Sequence, residues 1–476
     1  MIRQSVCGVL AGVWLLLLVM PVFAAKPFNL LIIQTDEHHF STLGCYGGTI
    51  VETPHIDSIA KQGALCTSFY ATTPVCSPSR GSLVSGLYPQ KTPVVTNNIP
   101  LDDSIVTFAE ILKRNGYATG FAGKWHLDGN GKPQWAPERK FGFEDNRFMF
   151  NRGHWKKFVD TDDGPAVGAK NKQGQPSYDL DGADEETFST DWLSDKAIDF
   201  INTNKKKPFC YFLSLPDPHG PNTVRAPYDT MYADVNVPIP VSLNRKPSQI
   251  PAWGKSAGVK PAQLQNLMRQ YYGMVKCIDD NVGQIIATLK KQGIYENTII
   301  VFTSDHGDLC GEHGRLNKGV PYEGSARIPF LITCPGKIKA GTVVPQALGC
   351  VDFLPTVLSL MDVNVPHKVD GRDASGLFTG DGKEWDDIAF VRSTPGSNWL
   401  SAITARWKLV YSINEEPWLI DVKNDPNELT NLAGRSEYVD VMKELTTELL
   451  AYGKEYNDPY IDNPRIQSWI NQVLER

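Results

Sequence analysis

The sequence predicts an α/β fold: a mostly parallel sheet between layers of helices, followed by a smaller C-terminal antiparallel sheet subdomain. Three observations predict it. Short apolar runs alternate along the chain with helical segments, the order expected of βα units. These runs are apolar on every residue rather than every second one, as strands buried on both faces are. Beyond residue 385 the pattern changes to short alternating runs and one amphipathic helix.

Taken in order, residues 28–35 form the first strand and lead into Asp36-Glu37-His38-His39. Residues 57–62 read as a short helix stopped by Gly63, and 64–72 as a second strand. Pro74 to Arg80 follows, and residues 81–87 continue as helix. Residues 104–115 are amphipathic and end at Gly116. Residues 117–123 form a strand closing on Lys124-Trp125-His126. Residues 133–185, rich in Gly, Pro, Asp and Asn, read as long loops over a site. A helix over 190–204 precedes a strand over 208–215 and Asp217-Pro218-His219-Gly220-Pro221. Residues 228–258 are irregular. The strongest helix has apolar residues at Leu264, Leu267, Met268, Tyr271, Val275, Ile278, Val282, Ile285, Ile286 and Leu289, a 3.6-residue period halted by Gly293. Strands over 298–303 and 328–333 and a helix over 351–361 complete the larger unit. Composition shifts between Gly371 and Trp385, which sets the expected units at 25–375 and 376–476. In the second, 407–412 and 417–422 read as strands and 438–453 as a helix.

Composition excludes several classes. With 47 Lys+Arg against 53 Asp+Glu the 476-residue chain is mildly acidic, and no long basic block exists, so no nucleic-acid partner is expected. Lys205-Lys206-Lys207 reads as a solvated helix end. Arg3, the apolar run 6–19 and the small residues before Ala25 read as a signal peptide over 1–24; an uncleaved anchor is the rival reading. Export to the periplasm or medium is expected, with no stable membrane insertion after cleavage. Nine cysteines show no zinc-type spacing. Cys210, Cys277 and Cys334 lie in apolar runs and read as core residues.

The polar clusters share one position. Asp36, Lys124, His126, His219, Asp305 and His306 each fall just past the C-terminal end of an expected strand, the edge where open parallel sheets bind ligands. Asp36, Asp305 and His306, with Glu37 as a further oxygen donor, are metal-ligand types, and oxygen-rich ligation favours Ca²⁺ or Mg²⁺. Taken singly, each Asp reads equally as turn chemistry. Cys76-Ser77-Pro78-Ser79-Arg80 opens a helix where backbone N–H groups favour an anion, and Arg80 falls on the same helix face as Cys76. The plain alternative is a buried Cys beside a surface Arg.

Together these motifs resemble the formylglycine-dependent sulfatases, members of the alkaline phosphatase superfamily. Cys76-Ser77-Pro78-Ser79-Arg80 is similar to their Cys-x-Pro-x-Arg signature. Asp36 resembles their metal aspartate, Gly123-Lys124-Trp125-His126 their Gly-Lys-Trp-His motif and Pro218-His219-Gly220-Pro221 their substrate histidine. Ser304-Asp305-His306-Gly307 resembles the second metal pair, and Asn317-Lys318-Gly319 the later lysine region. Trp418 to Ala433 resembles their C-terminal subdomain.

The resemblance implies an alkaline-phosphatase-like fold, a calcium ion held by Asp36, Glu37, residue 76, Asp305 and His306, and oxidation of Cys76 to formylglycine by a maturation enzyme. It implies a hydrated aldehyde at residue 76: one hydroxyl attacks sulfur and the other drives out sulfate. Asp305 would help deprotonate the attacking hydroxyl, and Arg80 would hold residue 76. Lys124 and Lys318 would neutralise the ester, His219 would protonate the leaving alcohol, and His126 would be the base for the second step. Glu37 and His306 depart from the Asp-Asp and Asp-Asn pairs common in the family. The expected substrate is a sulfated carbohydrate, with an algal galactan such as carrageenan favoured over a glycosaminoglycan. Phosphonate or phosphodiester hydrolysis and non-catalytic glycan binding are the alternatives. His313 either faces substrate or holds its loop, and the segments 151–155 and 397–399 offer Trp either to sugar or to the core.

Overall fold

The structure is a computed structural model that describes residues 26–255, 258–382 and 384–476. The expected leader lies outside the described residues. Among those residues, no helix is long and apolar enough to cross a membrane.

The strands in chain order are β1 (Asn29–Asp36), β2 (Ala64–Tyr70), β3 (Ala118–Lys124), β4 (Asp145–Phe150), β5 (Phe158–Thr161), β6 (Gly164–Val167), β7 (Phe209–Pro218), β8 (Thr298–Ser304), β9 (Arg327–Thr333), β10 (Thr342–Val344), β11 (Leu348–Gly349), β12 (Ala389–Arg392), β13 (Trp399–Ile403), β14 (Trp407–Ser412) and β15 (Trp418–Asp421). The helices are α1 (Pro54–Gln62), α2 (Cys76–Ser85), α3 (Phe108–Arg114), α4 (Ser189–Asn204), α5 (Tyr228–Met231), α6 (Pro261–Lys291), α7 (Glu323–Ala326), α8 (Phe353–Leu360), α9 (Ser375–Thr379), α10 (Val439–Glu455) and α11 (Pro464–Leu474).

The large sheet has nine strands in the order β10-β2-β9-β8-β1-β7-β3-β4, with β11 also on β2. All its pairings are parallel except the two made by β9. The central strands β1, β7 and β8 are buried at every residue, which is why their sequences do not alternate. Two cores lie on opposite faces. One packs Leu31, Ile33 and Leu213 against α4 and α6; the other packs Leu30, Ile32 and Phe212 among Leu83, Phe108 and Phe353 of α2, α3 and α8. The 31-residue α6 turns Leu264, Met268, Tyr271, Val275, Ile278, Val282, Ile285 and Leu289 inward.

The second sheet is antiparallel, β12-β13-β14-β15, covered by α10 and α11 through Leu445, Leu449, Ile466 and Ile470. Residues 133–185 are more ordered than a set of loops. They contain the edge strand β4, parallel to β3, and the hairpin β5-β6. Chain direction, not connection length alone, explains this: β4 extends the same sheet edge that carries Lys124.

Candidate active site

Parallel strands end together, so the residues after β1, β3, β7 and β8 meet at one edge. Asp36 is the last residue of β1 and pairs with Pro218 across a bulge. Lys124 ends β3, and Asp305 follows β8. Gly123 enters Lys124 with φ +106, and a Cβ there would strike the Ser214 carbonyl, so β3 and β7 approach as only glycine permits. Glu37 and His126, the residues just beyond β1 and near the end of β3, both hold φ +61. Such strain in non-glycine residues is sustained by the surrounding structure and clusters at functional sites.

Helix α2 enters the same edge. It is buried at every position, so no face of it meets solvent. Its N-terminus is capped from outside: Ser77 N–H donates to Asn97 Oδ1 at 2.9 Å. Arg80 is 3% exposed, so it is no surface arginine. Its Nε donates to Asp305 Oδ2 at 2.9 Å and one Nη to Asp36 Oδ2 at 3.2 Å. The other Nη donates to Lys124 O and Ser214 Oγ, both at 2.7 Å. Burial disfavours its charge, but Asp305, Asp36 and Cys76 raise its pKa above the ordinary arginine value.

Cys76 Sγ lies 3.2 Å from His306 Nε2, 3.6 Å from Lys124 Nζ and 3.9 Å from Asp36 Oδ1. Burial opposes the thiolate, yet Lys124, Lys318 and His306 hold the thiol well below its usual range. Lys124 Nζ contacts Asp36 Oδ2 at 2.5 Å. Burial and the Cys76 sulfur oppose charge on Asp36; Lys124, His219 and Arg80 outweigh both, and its carboxyl stays far below the carboxylate range. Asp305 Oδ1 accepts the backbone N–H groups of Glu37 and His306 at 3.1 and 2.9 Å. Burial lowers and Asp305 raises the His306 pKa, which settles at about 9. Asp36, Cys76, Asp305 and His306 are all buried, with one potential ligand atom each inside 4.8 Å of the others.

Glu37 is outside that four-residue group. Its Oε2 is 2.8 Å from His219 Nε2 and 3.1 Å from Lys318 Nζ. Burial raises its pKa, but His219 and Lys318 bring it down to about 2. Lys318 Nζ lies 2.7 Å from His219 Nε2, while His219 Nδ1 is 2.8 Å from Gly220 O. Each ring nitrogen thus faces an acceptor, Nδ1 the Gly220 carbonyl and Nε2 the Glu37 carboxylate. His126 places Nε2 3.0 Å from Asn98 Oδ1; among the described residues its buried Nδ1 makes no close hydrogen bond, while burial lowers its pKa and the nearby Cys76 sulfur opposes that shift. Every site residue read from the sequence thus lies at this edge. The structure groups Asp36, Cys76, Asp305 and His306 together, pairs Glu37 with His219 and Lys318, and brings His219 and His154 within 4.8 Å of Asp36.

The sulfatase family model matches residues 28–363, and a model of the N-sulphoglucosamine sulphohydrolase C-terminal region matches 311–455. The chain belongs to the sulfatase family. This sulfatase is 30% identical to an ulvan-active sulfatase of Formosa agariphila, over 91% of this chain and 82% of the relative. It is 28% identical to an N-acetylglucosamine-6-O-sulfatase of Bacteroides thetaiotaomicron, over 90% of this chain and 87% of the relative. A solved structure in complex with its substrate D-glucosamine-2-N,6-O-disulfate superposes with TM-score 0.76 at 25% identity. It covers 93% of this chain and 99% of the other.

Sequence reasoning missed several parts of this sulfatase's site. Asn97 and Asn98 serve Ser77 and His126, but nothing in a lone Asn-Asn pair reports that. His154, in the segment 151–155, lies with Nε2 2.8 Å from Lys124 Nζ, and no local pattern reports that. Lys156, fully buried, holds the His219 loop through Asp217 at 2.6 Å and the His219 carbonyl at 3.2 Å. His313 holds its loop: its buried ring stacks on Tyr322 at 3.5 Å, and burial with Arg245 nearby lowers its pKa to about 2. Trp155 and Trp399 are core residues, 3% and 1% exposed.

Proposed function

We propose that this sulfatase is exported and hydrolyses sulfate esters of a sulfated oligo- or polysaccharide. Residue 76 is converted to formylglycine by a maturation enzyme, and a divalent cation sits beside it. The observation that carries this reading is the convergence of Lys124, Asp36 and His306 on Cys76 at the buried start of α2. Support for the carbohydrate class comes from the relatives named above, which act on amino-sugar sulfates and ulvan. The algal galactan expected from the sequence is one member of that class. Export rests on the leader pattern of residues 1–24.

The donor chemistry fits a divalent cation. Asp36 and Asp305 offer carboxylate oxygens, and His306 places Nδ1 3.0 Å from Gly307 O, so that Nε2, on losing its proton to a bound ion, would offer its lone pair beside Cys76. The same anionic surroundings that raise the His306 pKa would bind the ion; calcium is the one the resemblance implies. When bound, such an ion polarises ester oxygens and acidifies a hydroxyl at residue 76.

The chain's own groups do the rest. Lys124 and Lys318 neutralise the ester oxygens from fixed positions in a buried site. Arg80 fixes Asp36 and Asp305 through charge-assisted hydrogen bonds. As the S–O bond to the alcohol breaks, His219, set between Lys318 and Glu37, gives a proton from Nε2 to the leaving oxygen. His126, whose ring interacts with residue 76, receives a proton at Nδ1.

The matured enzyme is tested on oligosaccharides from ulvan, carrageenan and sulfated glucosamine polymers, each paired with a phosphate ester, and free sulfate and phosphate are measured. Sulfate release from one of them supports the reading. Faster phosphate release would shift it to a phosphorus ester hydrolase.

A further inference from the structure

His219 has to meet the leaving oxygen from a fixed position, and its ring contacts set only part of that position. The ring lies flat on that of His154, centroids 3.4 Å apart and planes 7° apart, and its Nδ1 is 2.8 Å from Gly220 O within the same turn. Neither contact fixes the backbone that carries the ring. That backbone follows β7 directly, and its anchor is a buried lysine.

Lys156 lies between β4 and β5. Its side chain is 0% exposed, so it cannot reach a glycan. Nζ donates to Asp217 Oδ1 at 2.6 Å and to the His219 carbonyl at 3.2 Å, with Met274 Sδ of α6 3.2 Å away. Asp217 Oδ2 accepts from Thr190 Oγ1, in the first turn of α4, at 2.6 Å. Among the described residues, Lys156 and Asp217 form an ion pair only with each other. Such a buried pair adds little net stability, because desolvation returns much of its attraction, and apolar side chains of similar volume often serve as well. What the pair supplies is direction. One ammonium, which can only donate, ties the carboxylate just before Pro218 and the carbonyl just after it to a single point. The segment after β4, α4 and α6 all meet at that point.

We infer that Lys156 is a positioning residue for proton transfer to the leaving alcohol. By tying Asp217 and the His219 carbonyl together it holds the ring where Nε2 meets the oxygen whose bond to sulfur breaks. Its contribution to turnover therefore passes through the His219 ring. The inference rests on the sulfate-ester reading above.

The test is a double-mutant cycle on the matured enzyme, with sulfate release measured on the sulfated oligosaccharide that the parent cleaves. Lys156→Met should lower kcat about 10–100-fold, the loss expected from an ångström-scale displacement of a reacting group, and leave KM within about threefold. In His219→Ala, where no ring remains to be positioned, the same substitution should change kcat by less than about twofold. Equal losses in the two backgrounds would overturn the inference, because a merely structural role lowers both alike. So would a kcat for Lys156→Met within about twofold of the parent. If Lys156→Met does not fold, Lys156→Met combined with Asp217→Asn, which removes the stranded charge, replaces it in both backgrounds and is read by the same criteria. A parent inactive on every sulfated oligosaccharide overturns the substrate reading and this inference together; a failed cycle with an active parent overturns this inference alone.

Discussion

Replacing Lys408 with methionine should destabilise the fold by about 3–5 kcal/mol at pH 8 and by clearly less at pH 5. Lys408 lies on β14 and is fully buried. Its ammonium meets Glu323 Oε1 at 2.7 Å, Glu428 Oε1 at 2.8 Å and Pro321 O at 2.7 Å. At an effective dielectric near 20, each ion pair carries roughly 6 kcal/mol of attraction, and desolvation of three charges returns much of it. Methionine fills similar space but leaves two buried carboxylates facing each other. The pH dependence follows from Glu428. Burial raises its pKa from 4.5 to about 7 despite Lys408. Burial also opposes charge on Glu323, but Lys408 and Arg327 hold that carboxyl below its ordinary value. Between pH 4.5 and 7 the folded chain keeps a proton that the unfolded chain has released. This group's contribution to stability is therefore complete below 4.5 and lost as pH rises through 7. Without the lysine the carboxyl pKa climbs further and the loss extends upward, so the gap between variant and parent widens with pH. Urea unfolding followed by tryptophan fluorescence at pH 5 and 8 measures both gaps. A penalty under about 1 kcal/mol at pH 8, or equal penalties at the two pH values, would refute the reasoning. The cluster also pins Pro321 and Glu323 just after Lys318, so sulfate release should fall with stability in this variant.

Arg80→Lys keeps the charge and loses the planar fork on Asp36 and Asp305, so divalent-metal affinity should weaken about 10–100-fold in competition with a chelating dye. His219→Ala should slow turnover of a sugar sulfate by about 10²–10⁴-fold with its melting curve retained, as measured by sulfate release and circular dichroism. Gly123→Ala should cost about 1–3 kcal/mol, read by urea titration, because the new Cβ meets the Ser214 carbonyl at a positive φ.

The central strands and their terminal polar residues were legible because full burial leaves a plain signal. Leu30 to Ile33 and Thr298 to Thr303 have no polar face to present, and the first polar residues after them must reach the sheet edge. The edge strand β4 was not legible. Its sequence Asp145 to Phe150 mixes buried Asn146 and Met149 with exposed Arg147, so it matches neither a buried nor an alternating strand. Helix α11 did carry its signal: Asn463 caps it, Pro464 starts it, and Ile466, Ile470 and Val473 line one face. At the site, residue types and their place on the sheet edge could be read, but pairings could not. Glu37 sits next to Asp36 in sequence yet turns to Lys318, a residue that arrives from beyond β8. The full burial of Arg80 depends on acceptors from β1, β3, β7 and the loop after β8. His154 acquires its place from a ring 65 positions away, which no local pattern encodes.

The most direct test of the account is the rate of sulfate release against the fraction of residue 76 present as aldehyde. That fraction is measured by peptide mass in preparations matured to different extents. The account predicts a rate proportional to that fraction, vanishing with it and absent in Cys76→Ala. Full turnover by protein whose residue 76 is entirely thiol would contradict it.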